Sequence, residues 1–381
     1  MTATRFHLIR LCLAALVLGS LAMGCPKPPD PDAPHATFSG TPRTGKAPLE
    51  VTFTDESTTP IGTITAWDWD FGDGTSSTEQ NPVHTYTTAQ LYNVRLLITT
   101  SEGATDLLRK YRYIDVTAPD PGEGEGEGEG EGEQPPDPGD VRVFADIEFV
   151  WVPAGKFMMG CPLTPEQVTE TYGGRVWDYQ PEHPIHQVTF KKGVWMGKYE
   201  ITQKQWSAVM GTNPSQFRGD ARPVDSVTYY RCEDFIDALN AKADPLFRMP
   251  SEAEWEYACR AGSTTEFCYG DDVASLEDYA WYKANAGYKT HDAGGKTPNA
   301  WNLCDMHGNV AEWCADWAHS NYDGAPTDGS AWTSNGGSYN MVRGGSWSYE
   351  ANILRSATRY SYPPGNLYTD VGLRIVRDPS P

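Results

Sequence analysis

Apolar and polar residues alternate at period two in several short runs in the first third of the chain. Val51 and Phe53 form one, Trp67, Trp69 and Phe71 a second, and Val94, Leu96 and Ile98 a third. Period two puts every second side chain on one face, so each run reads as a strand with one buried side. Turn residues separate the runs, and Asp73-Gly74 closes a tight turn. Residues 37–117 therefore read as a small all-β, immunoglobulin-like sandwich. Later the pattern changes. Phe149 to Phe157 reads as a strand, a turn and the entry to a second strand. Three helices are announced by their caps: Thr202 with Gln205, stopped by Gly211; Thr228, running to about Asn240; and Ser251 with Glu254, stopped by Gly262. After Gly270 the pattern is almost entirely that of loops until Met341-Val342-Arg343. So long a loop-rich stretch in a compact domain points to function or to bound ions. Residues 141–381 thus read as a loop-rich α+β domain in a multi-domain chain.

Composition sharpens this. The chain has 381 residues, too many for one ordinary core. Gly-Glu repeats from Gly122 to Glu133, flanked by prolines, predict an extended, disordered linker over 118–140. Residues 1–25 read as an export signal, with Arg5 and Arg10 ahead of a short apolar run, Leu11 to Leu21. The end of that run, Leu21-Ala22-Met23-Gly24-Cys25, resembles a bacterial lipobox, which makes Cys25 the lipidation site and 26–36 a tether. Such an anchor places the protein outside the cytoplasm, at the bacterial outer membrane or cell surface. Disulfides are then the default for Cys161, Cys232, Cys259, Cys268, Cys304 and Cys314, with the pairing open. The net charge of −21 excludes nucleic acid and anionic membrane surfaces, which need clustered Lys and Arg. Membrane contact is through the lipid alone.

Candidate chemistry concentrates at Asp305-Met306-His307-Gly308-Asn309-Val310-Ala311-Glu312-Trp313. Its polar, glycine-containing composition reads as a built loop. The Asp305 and Glu312 carboxylates, with the Gly308 and Val310 carbonyls, offer the oxygen-rich shell that calcium prefers. His183, His186, His291, His307 and His319 are scattered and read as loop-bonding residues. Ser346 lacks the strand–turn–helix setting of a nucleophile elbow.

The segment Trp69-Asp70-Phe71-Gly72-Asp73-Gly74, followed by Asn81-Pro82-Val83-His84-Thr85-Tyr86, resembles a PKD domain, a β-sandwich module in which His84 is implied to be structural. Over 145–377, six blocks occur in order: Val152-Pro153-Ala154-Gly155 with Met159-Gly160; Tyr199 to Thr202; Arg248 to Tyr257; Asp305 to Trp313; Arg343 to Trp347; and Gly372-Leu373-Arg374. Together they resemble the formylglycine-generating enzyme (sulfatase-modifying factor) family. That resemblance implies a fold related to C-type lectin domains, and structural calcium held by Asp305, Gly308, Val310 and Glu312. Active members oxidise a sulfatase cysteine with oxygen and copper held by two cysteines. Those positions fall on Tyr349 and near Leu354, and no cysteine follows Cys314. Copper(I) wants thiolates, so copper and the family's oxidation are not expected.

Trp347, Tyr349 and Tyr360 alternate with Arg355 and Arg359 in a loop segment, and such residues make good contacts at low entropic cost. They are the predicted ligand-binding surface, for an extracellular protein or glycan. The resulting expectation is a lipid-anchored, calcium-stabilised binding module without catalysis. The competing readings are a divergent metal-dependent oxidase and a purely structural envelope protein.

Overall fold

The structure is a computed structural model that describes residues 33–88, 91–117, 136–243, 246–334 and 336–379. The export signal, Cys25 and most of the predicted tether and linker lie outside the described residues. Among the described residues no helix is long and apolar enough to cross a membrane.

The first unit is a sandwich of two sheets. One has the order Phe38–Thr41, Leu49–Asp55, Val83–Tyr86. The other runs Thr44–Lys46, Thr105–Thr117, Leu91–Thr100, Ile64–Asp70, Ser76–Ser77. The period-two residues face inward: Val51, Phe53, Trp69, Val94, Leu96 and Ile98 are fully buried. His84 stacks on Phe71 at 4.2 Å, and its Nε2 meets the Asp73 carboxylate at 2.7 Å, which pins the turn. Asp70 and Asp73 accept backbone N–H groups two residues on, as turn-forming aspartates do.

The second unit is built on two small sheets joined by the C-terminal segment. A five-stranded sheet has the order Phe247–Arg248, Val376–Arg377, Val194–Gly197, Ile147–Val152, Val141–Phe144. A four-stranded sheet runs Tyr360–Tyr362, Asn340–Arg343, Ala311–Trp317, Val371–Gly372. The chain leaves the second sheet at Gly372 and enters the first at Val376, so Arg374 lies between them, fully buried. All three predicted helices form: Gln203–Met210 with its Thr202–Gln205 box, Tyr229–Lys242 capped by Thr228, and Glu252–Arg260 with its Ser251–Glu254 box. The third ends on Ala261, left-handed at φ 45, just before Gly262.

Three expectations change. A fourth capped helix, Pro165–Tyr172, has a Thr164–Gln167 box that also stands in the sequence. The 305–313 stretch is loop only at its start. From Ala311 onward it is a central strand, paired with Asn340–Arg343 on one side and Val371–Gly372 on the other. Long-range pairing overrides local polarity there. Finally, the six described cysteines are all free. The neighbours of Cys259 Sγ are the Ser356 hydroxyl at 3.6 Å and His307 Nε2 at 3.8 Å, so no second sulfur is in place for it.

Loops are instead tied by buried ion pairs. Arg248 meets Glu254 and Asp378, Arg343 and Arg260 meet Glu256, Arg355 meets Glu182 and Glu266, Arg359 meets Glu252, and Arg374 meets Glu312. Planar guanidinium forks can bridge two chain segments at once, which suits a domain short of regular structure.

Candidate functional site

The oxygen-rich loop begins with three left-handed turns of backbone, at Asp305 (φ 56), Gly308 (φ 88) and Asn309 (φ 57). At Gly308 any side chain would collide with the Trp281 carbonyl, since a Cβ there would lie 2.3 Å from that oxygen. His307 is a staple. Its Nδ1–H donates to the Leu354 carbonyl at 2.7 Å, and its Nε2 accepts from the Cys268 N–H at 3.2 Å. Those partners require the neutral ring.

Beneath the loop three buried carboxylates converge. Glu200 accepts from the Val310 N–H and the Asn309 amide, both at 3.1 Å. Asp305 accepts from the Gly294 N–H at 2.6 Å through one oxygen, and its other oxygen is buried without a partner. Glu312 is held by Arg374, with Nη2 at 2.7 Å and Nε at 2.9 and 3.0 Å, and by the Trp255 indole at 2.6 Å. Burial, reinforced by the Asp305 and Glu312 charges, pushes the Glu200 carboxyl far above its ordinary range. Burial together with Glu312 pushes Asp305 up to about 6. Three carboxylates thus share the buried guanidinium of Arg374.

A hard dication fits part of this set. The unpartnered Asp305 oxygen and the excess buried negative charge favour one, with Glu200 as the neighbouring carboxylate. Glu312 fits poorly as a ligand, because both its oxygens are already bonded to Arg374 and Trp255. Among the described residues no three His, Cys, Asp or Glu side chains are placed to hold a metal by themselves, so an ion here would also need backbone carbonyls. The sequence did not single out Glu200. Its partners are 109 and 110 residues away, and no local pattern encodes that meeting.

The predicted ligand surface is divided by the structure. Arg355 and Arg359 are not on it. Arg355 is fully buried, bonded to Glu182 at 2.5 and 3.0 Å and to Glu266 at 2.8 Å, over the ring of Tyr179. Arg359 makes a two-pronged pair with Glu252 at 2.7 and 2.8 Å. A charged fork this far from water must be paired within the protein, so neither side chain can reach a ligand. Trp347, Tyr349 and Tyr360 stay half-buried and join an aromatic band. Trp347 meets Phe217 edge-on at 5.4 Å, Tyr349 stacks on Tyr360 at 5.6 Å, and Tyr362 stacks on Tyr368 at 4.2 Å. The Tyr349 and Tyr362 hydroxyls bond to each other. Leu367 stands out from the band, 66% exposed. The Ser346 hydroxyl is buried and bonded to Asp370 at 3.0 Å, a structural role.

The comparisons agree with this architecture. The model of the sulfatase-modifying factor enzyme 1-like domain matches residues 136–379, and that of the PKD domain residues 31–116. The chaperone protein LppX of Paenibacillus barcinonensis is 31% identical over 233 residues, covering 48% of this chain and 79% of that protein. The formylglycine-generating enzyme of Thermomonospora curvata is 29% identical over 151 residues, 35% of this chain and 50% of that protein. Thus the chain spans only half of that enzyme. The solved structure of PvdO from Pseudomonas aeruginosa is 32% identical, with a TM-score of 0.56, covering 64% of this chain and all of that one. The chain therefore belongs to the sulfatase-modifying factor enzyme 1-like family, with a PKD domain ahead of the family domain.

Proposed function

We propose that the protein is an extracytoplasmic, lipid-anchored binding module without the family's oxidase chemistry, and that its ligand is a protein. One observation carries the reading. Where the resemblance calls for a copper-binding thiolate, Tyr349 lies in a half-buried band of aromatic rings, its hydroxyl bonded to that of Tyr362. Such a band offers large, rigid contact area at little entropic cost. A protein is favoured over a glycan as ligand because one relative, 31% identical over 233 residues, is named a chaperone. Calcium belongs to this reading as the counter-ion of the Asp305–Glu200 pocket, a structural role that stabilises the face from behind.

The test is photocrosslinking in intact envelopes. A photoreactive residue at Leu367 should give a discrete protein adduct that disappears in Trp347→Ala and Tyr368→Ala. The same residue at Tyr288, 76% exposed and outside the band, should give none. Conversion of a sulfatase-derived cysteine peptide to formylglycine by the purified protein would sink the proposal and favour the oxidase reading.

A further inference from the structure

By composition, a Gly-Glu linker over 118–140 would let its ends lie roughly 25 Å apart on average, enough for the two domains to separate. They nevertheless meet along a defined seam. Arg109, on the PKD strand Thr105–Thr117, makes a two-pronged pair with Asp237 on helix Tyr229–Lys242, at 3.0 and 2.7 Å. The Arg109 side chain is only 8% exposed, whereas the Asp237 carboxylate it meets is 49% exposed at the rim of the seam. Trp317, at the end of the central strand Ala311–Trp317, packs against the PKD core. Beside these contacts lies a cleft of about 560 Å³, walled by His35 and Asp106 of the PKD domain and by Tyr230, Trp317, Asn340 and Pro364 of the family domain. Tyr230 is 47% exposed, and the Pro364 carbonyl accepts from the neighbouring Tyr229 N–H at 3.0 Å. Pro364 also lies within the loop between Tyr362 and Tyr368. The cleft therefore borders the aromatic band.

We propose that the PKD domain is docked on the family domain, held by Arg109–Asp237 and Trp317, and forms one wall of a cleft adjoining the aromatic band. It is not a free spacer. A released PKD domain would leave Trp317 facing water and the Arg109 fork without its matched carboxylate, and both work against release. The open cleft shows that the seam is not close-packed, as in an interface whose domains can part. This inference stands whether or not the ligand is a protein.

The experiment is charge reversal in the full chain: Arg109→Asp, Asp237→Arg, and the two together, read by small-angle X-ray scattering and by hydrogen exchange around Trp317. Each single reversal sets like charges against each other. The expected result is a radius of gyration larger by about 3 Å or more and faster exchange, with both restored in the double variant. That rescue separates undocking from misfolding. The proposal is overturned by a native chain that already scatters as two independent bodies, by single reversals that stay compact, or by a double variant that stays open.

Discussion

Arg355 separates the two pictures of the ligand face most cleanly. Read from sequence, it is an exposed contact residue, and replacing an exposed residue moves stability by no more than about 0.5 kcal/mol. In the structure it is a buried strut whose guanidinium answers both Glu182 and Glu266. Arg355→Met keeps an unbranched stem of similar reach and removes the charge. Two carboxylates are left buried without a cation, and breaking a buried pair in this way costs about 3–5 kcal/mol. For a domain of this size each kcal/mol moves Tm by about 2–4 °C, so the drop should be about 6–20 °C. Lower pH provides an internal check. Burial already holds the Glu182 carboxyl above its ordinary range despite the opposing pull of Arg355. Without the arginine the Glu182 carboxyl takes up a proton more readily, so the loss should be largest at pH 7.5 and shrink toward pH 5. The assay is calorimetry of native and variant protein at both pH values. A variant that melts within about 2 °C of the native protein at pH 7.5 would refute the strut and return Arg355 to the surface.

Asp316 gives a second pH dependence. Burial, with the Glu252 charge, raises its carboxyl from 3.8 to about 7 although it accepts the Glu252 and Trp332 N–H groups at 2.7 Å. A raised carboxyl stabilises the fold at low pH and loses that contribution as pH rises through the folded value. Between pH 5 and 8 the native protein should therefore lose about 3 kcal/mol that Asp316→Asn does not lose; a native urea midpoint that shifts no more than the variant's between the two pH values would contradict this. Alkylation of the folded protein should label Cys268, which is partly exposed, well ahead of the buried Cys161, Cys232, Cys259, Cys304 and Cys314, and unfolding should release all six thiols. A disulfide-linked peptide among them by mass spectrometry would overturn that. Calcium at about 100 times its Kd should stabilise the protein by about 2.7 kcal/mol relative to chelator, an effect that Asp305→Asn removes. Identical melting curves with calcium and with chelator would exclude the ion.

The sequence alone determined what depends on neighbours a few residues apart. Period-two runs placed the strands of the PKD sandwich, because strand geometry sends alternate side chains to opposite faces over any short stretch. Caps placed three helix starts to the residue, two of them as full capping boxes, because the hydrogen bonds of a cap close within four positions. The ordered blocks named the family, and the absence of cysteine after Cys314 was legible at once. Only the tertiary structure decided which charged residues face water. Arg355 and Arg359 sit among tyrosines in a loop, a local setting indistinguishable from that of a contact surface. Their carboxylate partners lie 173 and 107 residues away. The same holds for Glu312, whose charge is answered by Arg374, 62 residues on, at the point where the chain crosses between two sheets. It holds for Glu200 as well. Burial of a charge is settled by what the whole chain packs around it, and the cost of taking that charge out of water outweighs any preference its sequence neighbours express.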